Sequence, residues 1–140
     1  MSPDPLARFV HAQADCHAGA LKELAAGAKR GHWMWFVFPQ LRGLGRSAAA
    51  WRYGIADRAE AQAYLAHSIL GPRLEACVAA LMGWAGRRSA EAIFGPVDAM
   101  KLCSSLTLFE AAGGGARFAR ALEAFCGARR DPLTLAMLSG

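Results

Sequence analysis

The sequence predicts an all-α fold: a compact bundle of about six to seven helices, one domain over residues 1–140, with an irregular aromatic-rich segment at 32–47. Three observations carry that expectation. Every long segment repeats its apolar residues at helical spacing. Asp-Pro, Gly-Pro or a lone Ser precedes the helical runs and glycine follows several of them, the usual punctuation of helix ends. The one stretch with β-propensity, Trp33 to Phe38, has no second strand to pair with, and a lone strand leaves its backbone groups unsatisfied. With 54% apolar and 19% charged residues, 140 residues can bury a real core, and disorder is excluded on composition.

The first helix opens at Asp4-Pro5, with Asp as N-cap and Pro at the first helical position. Leu6, Phe9, Val10, Gln13, His17, Leu21 and Leu24 continue it at helical spacing, and Gly27 and Gly31 close it. Pro39 biases Phe38 away from the helical region, so Trp33 to Phe38 reads as a short helical or irregular piece, followed by a loop at Gly43 and Gly45. Asp57 and Glu60 have the spacing of a capping box and start a helix over about 58–67. Gly71-Pro72 opens the next, with Leu74, Val78, Leu81 and Met82 as its buried stripe. Ser89 caps a short turn ending at Gly95, and Pro96 starts a helix to about Ala112. After the break at Gly113 to Gly115, Phe118, Leu122 and Phe125 mark a helix ended by Gly127. Asp131-Pro132 then starts a short terminal helix.

Several classes are excluded or disfavoured. No apolar run approaches the roughly 20 residues of a membrane span. The opening MSPDPLARFV lacks the basic and apolar regions of a secretory signal, so a cytoplasmic location is expected. Cys16, Cys77, Cys103 and Cys126 include no CxxC pair and lie in apolar helical contexts, which predicts reduced core cysteines rather than zinc ligands or disulfides. His11 and His17 do not share a face at metal-pair spacing, and His67 falls near a helix end, where His caps carbonyls; no metal or cofactor is expected. The net charge of +5 is mostly arginine, spread along the chain rather than gathered on one face, so nucleic acid is an unfavoured partner.

Two polar clusters stand out. In GHWMWFVFPQLRGLGRS, residues 31–47, Trp33 and Trp35 are candidate stacking platforms, or else part of a hydrophobic plug with Phe36 and Phe38. Around them His32 can take or give a proton near neutral pH, and Gln40 both donates and accepts. Arg42 and Arg46 are fork-shaped anion binders, and Gly43 and Gly45 let backbone amides approach an anion. Ser47 adds a hydroxyl, and Tyr53 follows shortly. In DAMKLCSSLT, residues 98–107, Asp98, Lys101 and Ser105 share one helical face with Ser104 beside it, while Met100, Cys103 and Thr107 lie on another face of core character. Asp98 and Lys101 read equally as an ordinary surface pair. Yet Lys101 is one of only three lysines in an arginine-rich chain, which hints at a need for a compact ammonium.

HWMWFVFPQLRGLGRS resembles the hallmark of an uncharacterised bacterial family, the domain of unknown function 1810. RFVHAQ at 8–13 is similar to that family's opening helix, AYLAHSILGPRL at 63–74 to its middle segment, and IFGPVDAMKLCSSLTLF at 93–109 to its other specific motif. Ser68 stands where some members have proline. Some members carry the label calpastatin; calpastatin inhibitor regions are repetitive and disordered, unlike this compact apolar chain. The resemblance implies an all-helical domain and supplies no reaction. Its two strongest motifs coincide with the two polar clusters.

Three functions compete. In the first, the chain binds or transforms a small anionic, nucleotide-like ligand between the two clusters. Trp33 or Trp35 stacks a ring, Arg42, Arg46 and the glycine-loop amides hold phosphate, His32 or Asp98 handles a proton, and Lys101 stabilises negative charge. That reading requires a pocket joining residues 32–47 to 98–105. In the second, the aromatic segment is an exposed patch of a protein-interaction or regulatory module. The third, nucleic-acid binding, rests on charge alone.

Overall fold

The computed structural model describes residues 4–139. Among these residues the fold is all α, with ten helices and no strand. In order they are α1 (Ala7–Ala14), α2 (His17–Ala26), α3 (Met34–Val37), α4 (Ala48–Arg52), α5 (Arg58–Ala66), α6 (Leu70–Met82), α7 (Ala90–Phe94), α8 (Pro96–Ala111), α9 (Ala116–Cys126) and α10 (Pro132–Ser139). The count exceeds the expected six to seven because α3, α4 and α7 are single turns and because the first helix is broken. Its expected run to Gly27 stops at Ala14 and restarts at His17. No glycine or proline marks the break. Its reason is tertiary: α1 packs on α3 while α2 packs on α6, and one straight helix cannot reach both.

The caps behave as local chemistry demands. The Asp57 side chain accepts from the Glu60 amide at 2.8 Å, Ser89 from Ala92 at 3.1 Å, and Asp131 from Thr134 at 3.0 Å. Asp4 accepts from Leu6 at 2.9 Å ahead of α1. Helix α8 is the central element and contacts α5, α7, α9 and α10. Leu102, Leu106, Leu108 and Phe109 from it are fully buried, against Tyr64 of α5 and Phe118 of α9 among others. One polar link crosses the core. The Gln13 side-chain amide donates to the Phe36 carbonyl at 2.6 Å and to the Tyr64 hydroxyl at 2.9 Å, joining α1, α3 and α5.

The backbone after Pro39 finds its partners in a way the sequence did not reveal. Ile55 donates to the Gln40 carbonyl at 2.9 Å, and Arg42 donates to the Ile55 carbonyl at 2.8 Å. This isolated bridge between Leu41 and Ile55 closes the 42–54 segment, which contains α4, and Tyr53 of that segment meets Phe36 of α3 with ring centres 5.3 Å apart.

Two expectations about side chains are overturned. Cys103 and Cys126 are not reduced core thiols but form a disulfide that ties α8 to α9. Their sequence spacing carries no framework signal; the pairing arises because α8 and α9 lie antiparallel across a short glycine turn and bring the two half-buried sulfurs together. Met100, expected on a core face with Cys103 and Thr107, is 74% exposed, while Thr107 further along that face is fully buried. Cys16 and Cys77 are free, and burial pushes the Cys77 thiol up to about 12, so it stays an unreactive thiol.

Candidate functional site

The two polar clusters meet. Pro96 sets the first turn of α8 and places Asp98 there, where a carboxylate also complements the helix dipole. Asp98 is ion-paired on both oxygens. Oδ2 lies 2.8 Å from the Lys29 ammonium, and Oδ1 lies 3.6 Å from that of Lys101, one turn along the helix. Each lysine in turn sits over a tryptophan: Lys29 is 5.1 Å from the Trp33 ring centre and Lys101 is 5.1 Å from that of Trp35. The crowded aromatics of residues 33–38 therefore have a second task beyond filling space. Two of them hold cations that the half-buried Asp98 carboxylate shares.

The Trp33 end of this chain is closed. Trp33 is 4% exposed and packs with Phe38 and Phe94. Its indole N–H donates to Glu23 Oε1 at 3.0 Å, and the same oxygen accepts the amides of Arg30 at 2.7 Å and Gly31 at 2.9 Å. Burial alone pushes the Glu23 carboxyl up; the donated hydrogen bonds of Gly31, Arg30 and Trp33, with Lys29 nearby, outweigh it and hold it below its ordinary value. Lys29 is fixed likewise, by its amide to the Ile93 carbonyl at 2.8 Å and its ammonium to the Gly31 carbonyl at 2.6 Å.

The Trp35 end is open. Lys101, Trp35, Gln40 and Tyr53 line a small cleft together with Met34, Phe38, Ala50 and Gly54. Its volume is about 10 Å³, room for one water-sized group. Gly45 supports its rim, since a Cβ there would come within 2.6 Å of Ala50 Cβ. Gly43, at φ +103°, takes the turn that only glycine enters easily, beside Met137 of α10.

The remaining candidates lie elsewhere. His32 is exposed and does not line the cleft. Arg42 donates to the Trp51 carbonyl at 3.0 Å and lies over the Trp51 ring, whose own surface is 62% exposed. Arg46 is exposed. Ser47 is the N-cap of α4, its oxygen accepting from Ala50 at 3.0 Å. Ser105 is buried, and its hydroxyl has no partner among the described residues. Ser104 donates to the Met100 carbonyl at 3.3 Å and lines a different, wider groove with Met100, Cys103, Cys126 and Arg129. That groove has a volume of about 610 Å³, within the range of small-ligand pockets. Among the described residues, no three His, Cys, Asp or Glu side chains gather where a metal ion could sit, and no helix is long and apolar enough to cross a membrane.

Sequence reasoning missed Lys29 and Glu23. The rarity of lysine that singled out Lys101 applied equally to Lys29, so one signal existed. Nothing local tied Glu23 to Trp33, because their pairing depends on how the loop after α2 turns.

The comparisons with known proteins agree with this architecture. No curated protein matches the chain. Among solved structures, a conserved hypothetical protein from Mycobacterium tuberculosis, Rv1873, is 51% identical, with a TM-score of 0.94 over 99% of both chains. The profile of the family described as "Protein of unknown function (DUF1810)" matches residues 3–138, and the chain, matched over nearly its whole length, belongs to that family.

Proposed function

We propose that this protein binds a small anionic ligand at the cleft between residues 34–54 and Lys101. The observation that carries the reading is the gathering of a lysine, a glutamine and a tyrosine around the same opening, with the Lys101 ammonium over the Trp35 ring. Lys101 supplies charge, Gln40 donates and accepts, Tyr53 offers a hydroxyl, and Trp35 offers a face on which a ring stacks. The cleft takes only the charged tip, such as one phosphate or carboxylate oxygen. The body of a nucleotide-like ligand lies outside it, over the 43–47 loop, where Arg46 is exposed and Arg42 stands next to Trp51. Asp98 serves as the positioning partner of Lys101 rather than as a proton acceptor, since both its oxygens are occupied. With His32 away from the opening, binding is favoured over catalysis.

The test is thermal melting against nucleotides, dinucleotides, ADP-ribose and simple phosphates. A ligand at 100 times its Kd stabilises by about 2.7 kcal/mol. The shift should vanish in Lys101→Ala and persist in His32→Ala. No shift with any anion rejects the reading. A second reading, a protein-interaction module, draws on exposed apolar side chains rather than on the aromatic segment: Val97 and Met100 on α8 and Leu133 on α10 are each more than half exposed.

A further inference from the structure

The wider groove on the other side of α8 holds a chemistry of its own. Its lining includes both residues of the Cys103–Cys126 disulfide, each half-buried. A disulfide that serves only as a staple is best shielded from reagents, whereas this one borders a space of about 610 Å³. The charges around it are not all free. Arg130 is neutralised by Glu110, with two hydrogen bonds at 2.8 and 2.6 Å. Asp131 Oδ2 accepts from the amide and hydroxyl of Thr134. Arg129, on the turn directly after Cys126, has no carboxylate within 4.0 Å among the described residues, and neither does Glu91 have a cationic partner there.

We propose that Cys103–Cys126 is a reversible thiol–disulfide exchange site for a low-molecular-weight thiol that carries both carboxylate and ammonium groups, as a cysteine-containing peptide does. Arg129 attracts the carboxylate and Glu91 the ammonium. The incoming thiolate attacks Cys126 Sγ, the sulfur nearer Arg129 in sequence. A bond forms between the reagent sulfur and Cys126 Sγ as the Cys103–Cys126 bond breaks, and the electron pair leaves on Cys103 Sγ, which takes a proton from water. A second thiolate attacks the reagent sulfur of the mixed disulfide. It releases the oxidised reagent and a Cys126 thiolate that is protonated in turn. Two reagent thiols are oxidised to one disulfide, and one protein disulfide is reduced to two thiols.

The experiment incubates native, air-oxidised protein with glutathione and, separately, with 2-mercaptoethanol. Aliquots are quenched by alkylation and read by intact mass and peptide mapping. The expected result is loss of the Cys103–Cys126 bond without denaturant, a transient single glutathione adduct on Cys126, and no reaction at Cys77. Arg129→Ala, a surface change, should slow glutathione several-fold and leave 2-mercaptoethanol unchanged. A pair that never forms in air, or that opens only after denaturation, overturns the site. Equal rates for Arg129→Ala and the native protein with glutathione, or equal slowing with both reagents, overturn the assignment of the reagent.

Discussion

Helix α8 shows Asp98 and Lys101 to one side of the molecule and Met100, Cys103 and Ser104 to the other, and the two sides are built in opposite ways. On the first side six residues form one connected polar and aromatic chain. Glu23, Trp33, Lys29, Asp98, Lys101 and Trp35 follow one another in contact, and the space left over is about 10 Å³. On the second side the space is about 610 Å³, and its free charges are few. Room and recognition chemistry are thus separated. A preorganised set of donors needs its own supports, and those supports fill the volume around it. An open groove keeps its volume because little packs there, and its one distinctive group is a covalent bond.

The contrast can be broken most forcefully at Trp33. Trp33→Ala removes a buried ring and the hydrogen bond to Glu23, and should cost about 3–5 kcal/mol in denaturant unfolding. Met100→Ala, on the open side, should stay within about 0.5 kcal/mol. If the two cost the same, the closed side is not the supported one. Next comes the disulfide. Its sulfurs are 23 residues apart in sequence, a loop whose closure corresponds to roughly 3 kcal/mol on the chain-entropy account. Reduction should therefore lower Tm by about 10 °C, read by calorimetry with and without reductant.

Lys29→Met leaves the half-buried Asp98 with one cation instead of two, and should cost about 1–3 kcal/mol. By comparison, the exposed Arg117–Glu75 pair lies outside either site, and Arg117→Ala should change stability by less than about 1 kcal/mol. Equal costs would show that burial does not strengthen the Asp98 pair.

Acid should act on both sides in the same direction. The Glu23 carboxyl is held below its ordinary value as described above. Glu110, beside the groove, is held low by its hydrogen bonds to Arg130, against the opposing pull of burial. The folded state thus binds fewer protons than the unfolded state as pH falls through the carboxylate range. Stability is full above about pH 4.5 and declines below it. Urea midpoints measured across that range should fall with pH, and less steeply in Glu23→Gln. The smallest structural effect is expected at Lys101. Lys101→Ala should shift stability by under about 1 kcal/mol, yet remove any anion-induced rise in Tm, which separates the role of Lys101 from that of Lys29.

Much of the fold was legible in the sequence because caps and stripes are local. Asp57 with Glu60, Ser89, Pro96 and Asp131 each sit where their side chains or rings fix a helix start. Short helices were less legible: α4 has five residues and no buried side chain, so no apolar stripe marks it. The candidate site was half legible. Trp35, Gln40, Tyr53 and Lys101 come together as one cleft, while His32, Ser47 and Ser104 do not join it. Residue type pointed to all seven, but only position in space separates a hydroxyl that lines a cleft from one that caps a helix.

By itself, then, the sequence determined an all-α fold, most helix boundaries and the two segments rich in polar and aromatic chemistry, since periodicity and capping act within a few residues along the chain. The tertiary structure alone decided that the first helix breaks at Asp15 and Cys16, that Lys29 shares Asp98 with Lys101, and that Cys103 bonds to Cys126. Each of these joins residues on different elements. Which of them meet is fixed by the rotation of each helix about its axis and by the path of each loop, and these settle only when the whole core packs.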